Sequence, residues 1–219
     1  MQILRVEGGA RLSGEAHVDS AKNAVLPLLA AAVMSEQPGT LLDTPHILDV
    51  ENMLGILRRI GCTITREGAT LTVNAEALEQ DSLPQHLAKL LRSSIFMLGP
   101  MLGRMRHVTV TYPGGCEIGL RPIDLHLRGL RALGVKITEE GGLVHCDGEH
   151  MRGGEVHFDY PSVGATENVM MAGALIPGRT VIHNAAREPE IEDLQRFMNA
   201  CGAKVQGAGT DSIVIEGVK

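Results

Sequence analysis

The chain has 219 residues, enough for one large domain or two small ones, and 44% of them are hydrophobic, which is sufficient to fill a core. Only two Tyr and three Phe are present and Trp is absent, so we expect that core to be aliphatic. The net charge of -6 argues against a general nucleic-acid-binding surface. The apolar runs are too short and too interrupted to predict a membrane span.

The N-terminus and the cysteines favour a cytoplasmic protein. The sequence MQILRVEGG reaches a charge at Arg5 and has no hydrophobic segment of a signal peptide. The four cysteines stand singly, with no CxxC motif and no Cys/His cluster at zinc spacing, so reduced thiols are expected. We interpret three of them, Cys62, Cys146 and Cys201, as small core residues.

The predicted elements form a unit of about 70 residues that occurs three times. The first copy contains a strand at 14–19, an apolar helix at 23–34, the short strand TLLD, and an amphipathic helix that stops at Gly61 before a β-branched strand. The second copy has an apolar helix at 86–102, the strand HVTVT, and an amphipathic helix that stops at Gly134.

The third copy repeats this order. A strand at 154–159 matches the one at 14–19 and precedes an apolar helix at 166–176, the strand TVIH, and a helix that stops at Gly202. The first and third apolar helices have no polar face, which is typical of buried helices. The sequence therefore predicts an α/β (α+β) domain built from three βαβαββ repeats, of which the middle copy has only a weak first strand.

The loop that enters the first apolar helix carries Lys22 and Asn23. A lysine and the free backbone N–H groups of a helix N-terminus favour a bound anion. In the alternative interpretation, Ser20 or Asn23 only caps the helix and Lys22 is solvated.

The loop between residues 112 and 124 places three glycines around Cys116, followed by Arg121 and Pro122. A thiol on a glycine-rich loop near an arginine can have a lowered pKa and act as an acid, a base or a nucleophile. The alternative is a plain connector with an inert cysteine. Pro122 is suited to the first position of the helix that follows.

Two further candidates for ligand binding are the loop that opens the third apolar helix and a charged residue in the second apolar helix. Small residues and a hydroxyl at 162–168 can cradle a phosphate, although an ordinary Ser or Thr cap is the alternative. Arg92 is a charge on a mostly apolar helix, so it requires a partner or a ligand. In a three-fold arrangement the three helix starts lie at one end of the domain, which would bring these loops together.

These motifs resemble those of the UDP-N-acetylglucosamine 1-carboxyvinyltransferases, a family of enolpyruvyl transferases. The resemblance runs from residue 1 to 219, and the string around Cys116 is highly specific. The matching strings are Lys22-Asn23-Ala24, Leu91-Arg92-Ser93-Ser94, Pro113-Gly114-Gly115-Cys116-x-Ile118-Gly119-x-Arg121-Pro122-x-Asp124-Leu125-His126, Ser162-Val163-Gly164-Ala165-Thr166-Glu167-Asn168 and Ala186-Arg187-Glu188-Pro189-Glu190-Ile191.

The resemblance implies a fold and a reaction. The fold is an inside-out barrel domain of three units, one of two similar domains that close over the active site. The reaction is enolpyruvyl transfer from phosphoenolpyruvate to the 3-hydroxyl of UDP-N-acetylglucosamine with release of phosphate, the first committed step of peptidoglycan synthesis. The resemblance implies no cofactor and no metal ion, and neither nucleic acid nor a membrane as partner.

The resemblance also implies roles for individual residues. Cys116 would be the general acid and the site of alkylation by fosfomycin, while Lys22, Arg92 and Arg121 would hold phosphoenolpyruvate and the developing charge. Asn23 would contact the sugar. Pro122, Asp124 and Leu125 would line the uridine site, and Ser162, Val163 and Gly164 would contact the diphosphate.

The family's chains are much longer, so the resemblance covers their N-terminal half. It implies a hairpin at 1–20 that pairs with the other domain, and a three-unit domain at 21–219 that carries the Cys loop. The missing half carries an aspartate base, so we expect the chain alone to be inactive or very weak. It would work with a C-terminal half, or form a homodimer that still lacks this base. The alternative is a non-catalytic, half-length paralogue that binds a sugar nucleotide or a protein partner.

Overall fold

The structure, a computed structural model, describes residues 3–18, 20–112 and 123–218, which form both α-helices and β-strands. None of the helices in these ranges combines the length and the hydropathy that a membrane crossing requires. The α-helices are α1 Lys22–Ala31, α2 Leu48–Arg59, α3 Gln85–Ala88, α4 Leu98–Met105, α5 Asp124–Ala132, α6 Val163–Ala174 and α7 Pro189–Ala200. A 3-10 segment, Ala32–Met34, follows α1, and a second one, Arg92–Met97, precedes α4.

The strands are β1 Gly39–Leu41, β2 Thr63–Glu67, β3 Thr70–Asn74, β4 His107–Thr111, β5 Lys136–Glu140, β6 Leu143–Asp147, β7 Glu155–His157, β8 Arg179–His183, β9 Lys204–Gln206 and β10 Ser212–Glu216. They form three sheets with orders β1-β3-β2, β4-β6-β5 and β7-β8-β10-β9. In each sheet, the strand that follows the apolar helix pairs antiparallel with the last strand of its unit, which pairs antiparallel with the strand before it.

The predicted three-unit plan is confirmed, but the first strand of the unit is complete only in the third copy. There β7 runs parallel to β8. The second copy keeps a single parallel bridge from Ser82 to Thr109 in the same place. The strand predicted at 14–19 is wrong for its described residues, since 14–18 form no strand. Residues 3–18 are exposed throughout, so they bury no apolar surface to offset the entropy of ordering a strand.

The apolar helices lie inside the domain. Every residue of α6 from Ala165 to Ala174 is buried, and α6 packs against α4, α5 and α7. α1, which covers most of the helix predicted at 23–34, is buried along most of its length. Among the described residues, Phe158 is the one aromatic side chain of the buried apolar set, which confirms the aliphatic core.

The three amphipathic helices end in the same way, as the repeat predicts. Each glycine follows the helix by two residues and adopts a positive φ, which glycine tolerates without steric cost. The residue after each glycine donates its N–H to the carbonyl five positions back, which is the Schellman motif. These bonds run from Cys62 to Leu57 at 2.9 Å, from Val135 to Leu130 at 3.2 Å, and from Ala203 to Met198 at 3.0 Å.

The single helix predicted at 86–102 is wrong. The chain forms α3, an extended residue at Leu91, a 3-10 segment and then α4. Pro100 favours the start of α4 where it stands, because in a helix that continued through residue 96 it would lack a donor and clash with the carbonyl four residues earlier, whereas here it lies in the first turn of α4. The interruption places Arg92 at the start of a 3-10 segment rather than inside a helix.

Two of the three interpreted cysteines are core residues. Cys62 and Cys146 are buried, and burial raises the pKa of Cys62 to about 11 and that of Cys146 to about 12. The interpretation of Cys201 is wrong, because this thiol is exposed. Cys201 caps the C-terminus of α7, where the helix ends at the surface.

Candidate active site

A cleft of about 330 Å³ lies where the N-terminal ends of α1, α2, α6 and α7 meet the 3-10 segment before α4. The first and third apolar helices therefore begin at the same end of the domain, as predicted, whereas the predicted start of the second, at residue 86, is not part of the lining. The cleft is lined by Lys22, Asn23, Leu26, Asp49, Leu90, Arg92, Ser93, Phe96, Val163, Gly164, Glu167 and Glu190. Backbone N–H groups and helix dipoles at such ends favour an anionic ligand.

Lys22 is the exposed cation on the α1 side of the cleft. Its Nζ lies 2.7 Å from Oδ2 of Asp49, at the N-terminal end of α2. Both side chains are partly exposed, so this ion pair contributes little to stability. An ammonium group has three donors, so the ion pair with Asp49 leaves N–H groups of Lys22 free to bind a ligand. Asp49 meanwhile holds the ammonium group in position.

Arg92 supplies the second cation of the lining. It is half-buried at the start of the 3-10 segment. Burial is the main cause of the lowered pKa of the nearby imidazole of His126, and the charge of Arg92 lowers this pKa further. The lining therefore carries a positive charge on two of its sides.

The first turn of α6 forms another side of the cleft. Ser162 is the N-cap, and its hydroxyl accepts a long hydrogen bond of 3.5 Å from the N–H of Ala165. Gly164 lets the backbone of α6 approach the rings of His126 and Phe96 closely. A Cβ at this position would stand 2.8 Å from Cε1 of His126 and 2.9 Å from Cε1 of Phe96. A side chain at 164 would therefore move the start of α6 away from its neighbours.

Asn168 fixes the elements behind the cleft. Its Oδ1 accepts the N–H of Gly99 at 2.7 Å, and its Nδ2 donates to the carbonyl of Ile95 at 3.1 Å. Nδ2 also lies 2.8 Å from Nδ1 of His126. A backbone N–H can only donate, so Oδ1 must face Gly99, and Nδ1 of His126 must then accept. His126 is consequently neutral with its proton on Nε2, in agreement with the burial that lowers its pKa to about 4.

Glu167 is a buried acid at the floor of the cleft. Its side chain is 0% exposed, and neither carboxyl oxygen has a hydrogen-bond partner among the described residues. Burial raises its pKa well above the ordinary value, and the nearby carboxylates of Glu190 and Glu188 raise it further. Burial therefore favours the neutral form of Glu167, and in that form the side chain offers the cleft an O–H donor without a negative charge.

The structure brings five of the predicted site residues together in the cleft, namely Lys22, Asn23, Arg92, Val163 and Gly164. Ser162 adjoins them as the α6 cap. Asp124 and Leu125 begin α5 outside the lining, and Leu125 is buried in the core. Cys116, Arg121 and Pro122 lie outside the described residues.

The sequence interpretation missed three acidic residues of the lining, Asp49, Glu167 and Glu190. Glu167 did carry a signal, because it is a carboxylate within a helix that is otherwise apolar. Glu190 stands in one of the strings that match the family, but no role was carried over to it. Asp49 gave no signal, since acidic residues in the first turn of an amphipathic helix ordinarily serve the helix dipole.

A larger cleft of about 550 Å³ lies at the opposite helix ends, between Met34, Arg104, Leu175 and Phe197. Backbone carbonyls rather than N–H groups point out of these C-terminal ends, so an anion is disfavoured there. Arg104 is already engaged, because its Nη1 donates to the carbonyls of Val33 at 3.0 Å and Ala75 at 2.8 Å. The smaller cleft is therefore the better candidate site.

Comparison with known proteins identifies the family of the chain. The family model for EPSP synthase (3-phosphoshikimate 1-carboxyvinyltransferase) matches residues 6–219. UDP-N-acetylglucosamine 1-carboxyvinyltransferase 2 of Caldanaerobacter subterraneus is 49% identical over 219 residues, which are 100% of this chain and 52% of that protein. UDP-N-acetylglucosamine 1-carboxyvinyltransferase 1 of Carboxydothermus hydrogenoformans is 46% identical over 218 residues, again 100% of this chain and 52% of that protein.

Solved structures agree on the fold. The enolpyruvyl transferase NikO from Streptomyces tendae superposes with a TM-score of 0.85 at 23% identity, over 96% of this chain and 50% of that one. EPSP synthase from Acinetobacter baumannii gives a TM-score of 0.71 at 20% identity, over 94% and 47%. The chain belongs to the EPSP synthase family of enolpyruvyl transferases. It spans about half the length of the curated relatives that it matches.

Proposed function

We propose that the chain forms one wall of the active site of a UDP-N-acetylglucosamine 1-carboxyvinyltransferase. The observation that carries this proposal is identity of 46% to 49% with two such enzymes along the entire chain, together with a cleft that gathers five matching residues. The enzyme would act in the cytoplasm, in peptidoglycan synthesis, with the second wall supplied by a further domain.

The reaction would add the 3-hydroxyl of UDP-N-acetylglucosamine to C2 of phosphoenolpyruvate while C3 takes up a proton. Loss of phosphate, with release of a proton from C3, then restores the double bond in the enolpyruvyl ether. Phosphoenolpyruvate brings a phosphate and a carboxylate, so cations must hold it and stabilise the developing charge. Lys22, Arg92 and Arg121 would meet this need, and Cys116 would be the acid that protonates C3.

The sugar nucleotide would lie along the first turn of α6. Ser162, Val163 and Gly164 would contact the diphosphate, and Asn23 the sugar. Pro122, Asp124 and Leu125 would line the uridine site. The raised pKa of Glu167 supports this arrangement, because it favours a protonated carboxyl, which does not repel an anion and can donate to it.

The test is phosphate release from phosphoenolpyruvate and UDP-N-acetylglucosamine. It compares the chain alone with the chain mixed with the C-terminal half of one of the relatives. We expect little release by the chain alone, because one wall cannot position both substrates, and measurable release from the mixture. Lys22→Ala should abolish release in the mixture, whereas Lys136→Ala on β5, away from the cleft, should not.

Two outcomes would count against this function. Failure of every mixture to release phosphate, with binding of another protein by the folded chain, would favour the non-catalytic paralogue. Release that is equal for wild type and Lys22→Ala would remove the cleft from the reaction. Intact-mass measurement after fosfomycin treatment adds an independent readout, since labelling should fall on Cys116 and disappear in Cys116→Ser.

A further inference from the structure

The outer face of the third sheet carries three metal-ligating side chains, none of which lines the cleft. Glu155 and His157 lie on β7, and His183 lies opposite His157 on β8. Side chains alternate along a strand, so Glu155 and His157 share a face. The intervening Val156 and its partner Ile182 are buried. Parallel pairing thus holds two imidazoles and a carboxylate together on the exposed face.

The distances within this cluster fit a small metal ion. Oε2 of Glu155 lies 3.4 Å from Nε2 of His157 and 3.2 Å from Nε2 of His183. All three ligand atoms lie within 4.8 Å of one another. Metal bonds of about 2.0 to 2.2 Å in a tetrahedron separate their ligand atoms by about 3.3 to 3.6 Å. The carboxylate is therefore already placed at about a tetrahedral edge from each imidazole nitrogen.

We propose that Glu155, His157 and His183 bind one divalent transition-metal ion of the zinc type, which ties β7 to β8. Two imidazoles and one carboxylate suit Zn²⁺, Ni²⁺ or Cu²⁺ better than Mg²⁺ or Ca²⁺, which prefer oxygen ligands. Water would take the fourth position. This site is independent of the enolpyruvyl reaction and of the proposed function.

Binding requires the two imidazoles to rotate. Their centroids are 4.3 Å apart and their planes differ by 8°, so the rings are stacked. The lone pair of each Nε2 lies in the plane of its ring, so the rings must turn toward a shared ion. The side chains of Glu155 and His157 are 66% and 65% exposed and that of His183 is 37% exposed. Rotation at this surface disturbs no core packing.

The ion would hold a short edge strand to its neighbour. β7 is only three residues long and forms the edge of its sheet, beside β8. A ligand that binds the folded chain and not the unfolded one stabilises the fold by mass action. Zinc should therefore raise the melting temperature through this strand pair.

The experiment is calorimetric titration of the metal-free chain with zinc chloride. We expect one tight equivalent for the wild type. His157→Gln, His183→Gln and Glu155→Gln should each lower the affinity at least about tenfold, since even outer-shell changes at metal sites cost that much. Zinc should raise the melting temperature of the wild type but not of the two histidine variants.

His107→Gln is the matched control. His107 is also exposed and lies 3.8 Å from Asp147 and 3.2 Å from Glu149, but these neighbours are both carboxylates. This variant should bind zinc as the wild type does. Replacing Zn²⁺ by Co²⁺ distinguishes binding at this site from binding to a cysteine. A thiolate ligand would add a charge-transfer band to the cobalt spectrum, which Glu155, His157 and His183 cannot give.

Two results would overturn the proposal. One is the absence of a binding heat for the wild type at millimolar zinc. The other is wild-type affinity in His157→Gln, with a cobalt spectrum that shows a thiolate ligand. Since all substituted side chains are at the surface, circular dichroism should show folded variants throughout, so that a loss of binding reports on the ligands.

Discussion

Two buried titratable side chains, Glu167 in the lining of the cleft and His126 behind it, make the free energy of unfolding depend on pH in opposite directions. Burial, followed by the carboxylates of Glu190 and Glu188, raises the pKa of Glu167 above its ordinary value of 4.5. Burial, followed by the charge of Arg92, lowers the pKa of His126 from 6.5 to about 4. Between pH 4.5 and 6.5 the two effects oppose each other, so single variants are needed to separate them.

The wild type should lose stability as pH rises, because Glu167 is buried, and Glu167→Gln should remove this loss. Above pH 4.5 the folded chain holds a proton on Glu167 that the unfolded chain releases, so its contribution to the free energy of unfolding falls as pH rises toward the folded pKa. The slope is about 1.4 kcal/mol per pH unit for one proton. Urea denaturation from pH 5 to 8 should show a flatter profile for Glu167→Gln.

The exposed Glu76→Gln serves as control for this measurement, and its profile should follow that of the wild type. A Glu167→Gln profile parallel to the wild type would mean that Glu167 ionises in the folded chain much as it does in the unfolded one. The neutral donor in the cleft would then be excluded.

His126→Gln should change the pH dependence of stability below pH 6.5. The folded chain excludes a proton that the unfolded chain takes up below pH 6.5, so this contribution is present above 6.5 and is lost as pH falls to about 4. The size of the loss is about 3 kcal/mol. His126→Gln should therefore lower stability at pH 7, through its lost packing, yet reduce the fall between pH 6.5 and 4. An unchanged fall would contradict the burial of a neutral imidazole.

At the scale of elements, two helix glycines should respond to alanine with opposite signs. A Cβ at Gly99 in α4 would stand 2.4 Å from the backbone oxygen of Asn168, so Gly99→Ala must separate α4 from α6. A Cβ at Gly55 in α2 would meet Cδ1 of Leu87 at 3.7 Å, an ordinary contact. We expect Gly99→Ala to lower the free energy of unfolding by about 1–3 kcal/mol.

Gly55→Ala is the matched variant and should raise the free energy of unfolding by about 0.5–1 kcal/mol, because alanine has the higher helix propensity. Chemical denaturation of both variants measures the difference. Equal effects would show that the α4–α6 contact is not as tight as the glycine at 99 implies.

The helix ends were predictable from the sequence, while the interruption in the second unit was not. Gly61, Gly134 and Gly202 stop helices because each takes a backbone conformation that other residues resist, and this information is local. The break before α4 depends on Pro100 and on the hydrogen bond from Gly99 to Asn168, 69 positions away in the chain. No periodicity in the sequence reports such a contact.

At the scale of the whole molecule, repetition of one unit brings the helix N-termini to one cleft and the C-termini to another. The repeat predicted that the starts of α1 and α6 meet, although each local motif alone also fits an ordinary cap, but it placed Arg92 inside a helix rather than at the start of a 3-10 segment. It could not predict that Glu167 faces the cleft, because α6 is buried on all sides and its sequence marks no inner face.

Titration of the isotope-labelled chain with UDP-N-acetylglucosamine, followed by backbone amide chemical shifts, tests the central claim most directly. We expect the largest shifts at Lys22, Asn23 and the first turn of α6, with little change beside Phe197 at the opposite end. Lys136→Ala should leave this pattern intact, and Lys22→Ala should weaken it. Shifts concentrated around Phe197, or none at millimolar ligand in a folded chain, would contradict the assignment of the cleft as one wall of a sugar-nucleotide site.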